Sequence, residues 1–138
     1  MGTRKAVALV ALWLARLCAL LLILLWGGFF VEHLREWFLR SDGRLPPVWV
    51  WVGQFLHLLM LLGLALVAFR PSLGAISTIL ATALFFGLMS YHDGFKGFPY
   101  LALVNLPPAA LALVYAALKA QPDSNGAAAS KGYLRRQR

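Results

Sequence analysis

Four apolar runs of about twenty residues each dominate the chain, and they constrain its fold more than any short motif does. A bilayer core of about 30 Å is crossed by about 20 helical residues at about 1.5 Å rise each. The runs predict crossings at about 17–36, 48–69, 73–91 and 100–118. Little is left over for a folded aqueous domain. Of 138 residues, 61% are apolar and 13% charged, with a mean hydropathy of +0.73, whereas a soluble domain is apolar in about half its residues. An ordinary soluble enzyme is thereby excluded. Cys18 is the only cysteine, which excludes a disulfide scaffold and redox chemistry between paired thiols of one chain. The expected fold is all-α, an integral membrane four-helix bundle.

The boundaries follow from charge and proline. The first apolar stretch runs from Ala6 to Val31, interrupted by Arg16, and continues as helix through Trp37. A crossing over 6–26 would hold Arg16 near the bilayer centre at a cost of about 2.5–3.5 kcal/mol. The register 17–36 avoids this, with Arg16 at one surface and Trp37 at the other. Residues 6–15 then either lie along the interface or continue a tilted helix. The second crossing is opened by Pro46 and Pro47 and closed by Arg70 and Pro71, and the fourth ends at Lys119. The N-terminal stretch is too long for a signal peptide and no small-x-small cleavage site follows Trp26, so it is expected to be retained. Position 6 is neither Ser nor Thr, so myristoylation is not indicated. Three segments result: a basic N-terminus with an apolar extension (1–16), the bundle (17–119), and a flexible basic tail (120–138).

Lys and Arg concentrate in loops that stay cytoplasmic. One side of the four-crossing layout carries Arg4, Lys5, Arg16, Arg70, Lys119, Lys131, Arg135, Arg136 and Arg138. The other carries Arg35, Arg40, Arg44 and Lys96, nearly matched by Glu32, Glu36, Asp42 and Asp93. Both termini are therefore expected in the cytoplasm, and the net charge of +8 reads as a topology signal with no nucleic-acid partner implied. Trp37, Phe38, Trp49, Trp51, Tyr91, Phe95, Phe98 and Tyr100 fall at the outer ends of the crossings, as an interfacial aromatic belt does.

Ionisable and polar groups inside a membrane are the candidates for function. His57 lies nine residues past Val48, about 13 Å into the second crossing at helical rise. Gln54 shares its helix face one turn earlier, and Gly53 permits close approach of another backbone. Glu32 and His33 lie about one turn below the outer end of the first crossing. Asn105 precedes Pro107 and Pro108, which remove two backbone donors and crowd the carbonyls of Leu103 and Val104. Each has a purely structural alternative. His57 then hydrogen-bonds Thr78 or Thr82, Glu32 pairs with Arg35 in water, and Asn105 helps satisfy the carbonyls that a proline kink frees.

His33, His57, His92, Glu32 and Asp93 all belong to the outer half and comprise enough ligands for zinc or iron. No close-spaced pair such as H-x-x-x-H accompanies them, so no metal or other cofactor is assigned. Tyr91-His92-Asp93-Gly94 reads as a turn leaving the third crossing. Gly74, Thr78 and Thr82 form one row of small residues and Ala83 with Gly87 another; Gly27, Gly28 and Gly63 offer further close helix contacts.

Ala15-Arg16-Leu17, Phe30-Val31-Glu32-His33, Leu61-Leu62-Gly63-Leu64-Ala65 with Arg70, and Leu106-Pro107-Pro108 give the chain, over residues 10–118, a pattern that resembles short prokaryotic four-helix membrane proteins grouped as domains of unknown function. That resemblance implies fold and topology alone. In length and crossing number the chain is also similar to the small multidrug resistance transporters, which exchange protons for cations at a membrane-embedded glutamate. Glu32 is the residue that matches that glutamate. It sits near its helix end with different flanking residues, and the charge bias departs from that of antiparallel dimers.

Three functions are compatible with these features. The favoured one is a non-enzymatic bundle of the cell (inner) membrane, with the lipid bilayer as its surroundings, acting through self-association or as a small subunit of a larger membrane complex. The others are a proton-coupled small-solute transporter or channel titrating at Glu32 and His57, and a redox or metal-handling subunit using His33, His57 and His92.

Overall fold

The computed structural model describes residues 2–39, 45–94 and 98–121. Among them every regular element is helical. Helix α1 spans Thr3–Leu34 and passes into a π-helical turn, Arg35–Leu39. Helix α2 spans Val48–Phe69, α3 Pro71–Asp93, α4 Phe98–Leu103 and α5 Leu106–Ala120. Four stretches, Thr3–Leu39, Val48–Phe69, Pro71–His92 and Tyr100–Ala120, are long and apolar enough to cross a membrane. The expectations for the tail beyond Gln121, and for Arg40, Asp42, Arg44, Phe95 and Lys96, fall outside the described residues.

The helices close a ring in which α1 and α3 each pack on both α2 and α5. Buried residues recur at helical spacing. Ala11, Ala15, Ala19, Leu22 and Trp26 form the inner stripe of α1, and Met60, Leu64 and Val67 continue it on α2. Ala75, Ala81 and Phe86 of α3 and Ala109 and Ala112 of α5 complete the core. Small residues on α1 and α5 let the two backbones approach closely, the usual basis of helix contact where lipid removes the hydrophobic driving force.

Residues 6–15, for which the sequence allowed two arrangements, continue α1 without a break, and Ala11, Leu12 and Ala15 are buried. The guanidinium of Arg16 donates to the Ala68 carbonyl at 2.8 Å, level with the last turn of α2. At the other end the Trp37 ring meets Trp49 and the Phe38 ring meets Trp51, with centroids 6.2 and 4.5 Å apart. The part of α1 antiparallel to α2 therefore runs from about residue 16 to 38. The first turns of α1 extend past the α2–α3 corner and lie along α5, where Arg4 donates to the carbonyls of Leu118 and Gln121. These are end carbonyls that helix α5 leaves without intrahelical partners, and a cation there also opposes the negative end of the helix dipole.

A single residue, Arg70, joins α2 to α3. Its N–H donates to Leu66 O at 2.7 Å and its carbonyl accepts from Gly74 N at 2.8 Å. Pro71 suits the first position of α3 because its missing N–H would have had no partner there. One turn later the backbones nearly touch. A Cβ at Gly74 would lie 2.3 Å from Val67 N, and one at Gly63 2.8 Å from Thr78 N. Gly74 and Thr78 of the Gly74–Thr78–Thr82 row thus line the α2–α3 contact, while buried Thr82 borders Ala102 and Asn105. The other expected close contacts differ. At Gly27, Gly28 and Gly87 a Cβ would meet nothing within 4 Å among the described residues, so these glycines make no close helix contact there, and Ala83 is exposed.

The fourth crossing is two helices. Pro107 and Pro108 cannot donate to Leu103 and Val104, so α4 ends and α5 begins anew with the prolines in its first turn. The intervening N–H groups of Val104 and Asn105 instead bond Leu101 O and Ala102 O, at 3.2 and 3.1 Å, three residues back. Helix α3 continues to Asp93 and stops at Gly94, whose φ of 62° is the left-handed conformation that favours glycine as a helix terminator.

Candidate functional site

The inner stripe of α2 changes character halfway along. Below it lie Met60, Leu64 and Val67, but at His57 the stripe presents an imidazole that is 2% exposed. Aromatic side chains from two other helices surround it. The His57 ring centroid lies 4.8 Å from Phe85, 5.3 Å from Phe30 and 6.2 Å from Trp26. Neither threonine expected as its partner bonds it. The Nε2 of His57 and the hydroxyls of Thr78 and Thr82 all lack a hydrogen-bond partner, because Thr78 is packed against Gly63 while His57 faces α1 and Phe85.

Two cavities meet at this imidazole. One, of about 240 Å³, is bounded by His33, Trp37, Trp49, Gln54, His57 and Met89 among others. The second, of about 320 Å³, shares His33, His57, Phe85 and Met89 and is otherwise walled by apolar and aromatic residues including Trp26, Phe29 and Phe86. Gln54, one turn from His57, also has a buried side-chain oxygen without a partner. His33 differs from both. Its Nδ1 lies 2.9 Å from Phe29 O, and since a carbonyl only accepts, Nδ1 carries the proton and Nε2 of the neutral ring is left as an acceptor. A buried polar group without a partner costs about 1–3 kcal/mol. Two such groups, on one helix face and beside one cavity, form the functional candidate.

Of the six polar residues singled out in the sequence, His33, Gln54 and His57 are brought together. His92 lies behind the wall, its ring stacked on Trp49 at 4.9 Å and 16°. Glu32 is elsewhere. It is 3.3 Å from Arg35 with both side chains more than half exposed, and it borders a surface depression with Leu25, Gly28 and Phe29. The titrating pair expected of a transporter, Glu32 with His57, therefore does not share a cavity. Asn105 is 1% exposed and serves neighbouring helices more than its own kink: Trp26 Nε1 donates to its Oδ1 at 2.9 Å, and its Nδ2 donates to Met60 Sδ at 3.6 Å. Among the described residues no three His, Cys, Asp or Glu side chains come together in a metal-holding group; the Asp93 side chain lies outside that description.

Sequence reasoning missed Trp26, Phe30 and Phe85. Trp26 carried a signal, since it lies mid-run, away from the crossing ends where Trp37, Trp49 and Trp51 fall. Comparison of the chain with protein-family models, with curated proteins and with solved structures gives no match.

Proposed function

We propose that the chain is a non-enzymatic, multi-pass protein of the cell membrane with both termini on the cytoplasmic side, and that its His33–Gln54–His57 cavity binds a small, largely apolar molecule bearing a hydrogen-bonding group. One observation carries the reading. His57 is 2% exposed among aromatic rings, its Nε2 has no partner, and the residue lines a cavity. Ligand sites are concave and mostly apolar with a few converging polar groups that fix orientation, and an imidazole nitrogen kept without a partner is what a ligand would satisfy. The kinship with short prokaryotic four-helix membrane proteins belongs to the same proposal.

The test is gentle extraction of the full chain, followed by organic extraction and mass spectrometry of what accompanies it. A compound near one-to-one with the protein, and lost from both His57→Phe and Gln54→Leu, is the expected result. Loss of neither, or no compound with wild type, refutes the cavity reading.

A second role, association with copies of itself or within a larger membrane complex, is favoured by the outward-facing small residues. Gly27, Gly28 and Gly87 have open space where a Cβ would sit, and small residues exposed to lipid let a second helix approach closely. The two roles are compatible, because the cavity and these faces are separate.

A further inference from the structure

At the end of the bundle where α1 begins and α5 ends, the two helices enclose a groove of about 380 Å³. Three cationic residues line it, Arg4, Lys5 and Lys119, with Leu9, Leu12 and Leu118 as apolar wall. We propose that this groove binds the phosphate of an anionic phospholipid, with the glycerol and the first acyl carbons against the leucines. The site is independent of the His57 cavity, and of any role assigned to it.

Several observations support this. The Arg4 guanidinium is fixed by its bonds to Leu118 O and Gln121 O, both made by Nη2, while Nη1 and Nε carry the other three of its five N–H donors. Lys119 is held over the Tyr115 ring, its ammonium 5.9 Å from the centroid. The groove also holds about a dozen times a water's share of liquid volume, about 30 Å³, so a bare phosphate would leave most of it unfilled. Val7, Leu9, Val10 and Trp13 are each 45–60% exposed beside it, which suits acyl chains and not bulk water. Basic pockets between transmembrane helices on the cytoplasmic side are where phospholipid headgroups bind.

The experiment is native mass spectrometry of the full chain in non-ionic detergent, with phosphatidylglycerol and phosphatidylcholine of matched acyl chains. Phosphatidylglycerol is expected to be retained about tenfold better, and the Lys5→Gln/Lys119→Gln variant, which leaves the Arg4 bonds intact, should lose that preference. Neutralising Lys131, Arg135, Arg136 and Arg138 should leave it unchanged. In wild type it should also fall as salt is raised from about 0.05 to about 0.5 M, a check that needs no variant. Equal retention of the two lipids, a preference that follows the tail and not the groove, insensitivity to salt, or full displacement by inorganic phosphate would each overturn the assignment, the last by showing a site for phosphate and not for lipid.

Discussion

The indole N–H of Trp26 donates to Oδ1 of Asn105 at 2.9 Å across 79 positions of sequence, joining the middle of α1 to the break between α4 and α5. The same indole ring meets His57 and Phe86, with centroids 6.2 and 5.5 Å away. One residue thus couples the proline break to the cavity wall. Asn105→Ala leaves the buried indole N–H without an acceptor and should cost about 1–3 kcal/mol. Trp26→Phe removes that donor at about the 0.6–2 kcal/mol typical of interhelical bonds in membranes, plus lost ring contacts. The double variant Trp26→Phe/Asn105→Leu should be less destabilised than the two single costs added together. Unfolding of each variant by denaturant in mixed micelles measures this; strict additivity would show that the two side chains do not interact.

His57→Phe should raise stability. The substitution keeps an aromatic ring among Phe30, Phe85 and Trp26 and removes Nε2, which lacks a partner, against the loss of the imidazole's hydrogen bond to the Trp26 backbone. The gain expected is about 1 kcal/mol, the lower end of the cost of burying an unsatisfied polar group. A histidine kept for structure would show the opposite sign. Thermal unfolding of wild type and variant, both stripped of small molecules, distinguishes the two, and lower stability of His57→Phe would argue for a structural imidazole.

Gly74 and Gly28 should respond oppositely to an added methyl group. At Gly74 a Cβ falls 2.3 Å from the backbone nitrogen of Val67, and backbone cannot yield as a side chain can, so Gly74→Ala should cost more than about 3 kcal/mol or prevent folding. At Gly28 nothing lies within 4 Å, so Gly28→Ala should leave the single chain as stable or gain up to about 1 kcal/mol of helix propensity. Bulkier Gly28→Ile tests association separately: cross-linking between copies in membranes should fall if a second chain packs on that face.

Much of the fold was legible in the sequence because crossing length and flanking charge act locally. The second crossing, 48–69, coincides with Val48–Phe69, bounded by prolines and Arg70 that act where they stand. A kink at Pro107 and Pro108 was legible for the same reason, but not that it divides the run into Phe98–Leu103 and Leu106–Ala120. The environment of His57 was not, since its neighbours Trp26, Phe30 and Phe85 come from α1 and α3, and helix rotation decides which residues meet. A histidine opposite two threonines reads as a hydrogen-bonded pair until packing places Thr78 against Gly63 and Thr82 beside Asn105 and Leu106. Asn105 was misjudged similarly: its side chain reaches to Trp26 and Met60, and nothing local specifies that choice.

Orientation in the membrane is the prediction on which the lipid groove depends. Arg16 donates to Ala68 O beside the Arg70 corner, and Arg4, Lys5 and Lys119 gather at the same end of the bundle, so the described cations of that side are together in space. Glu32, Arg35 and Glu36 lie toward the opposite end of α1, where the charges nearly cancel. Cations near the ends of crossings favour the cytoplasm, and the α2–α3 corner has too few residues to carry a domain that would override them. A reporter fused after residue 138 should therefore be active in the cytoplasm, and one inserted between Arg40 and Pro46 should be active outside. Neutralising Arg4, Lys5, Arg70 and Lys119 together should shift a measurable fraction of chains to the reverse orientation. If the fusions report the opposite sides with wild-type charges, the groove faces away from the cytoplasmic leaflet and its anionic lipid partner is lost with it.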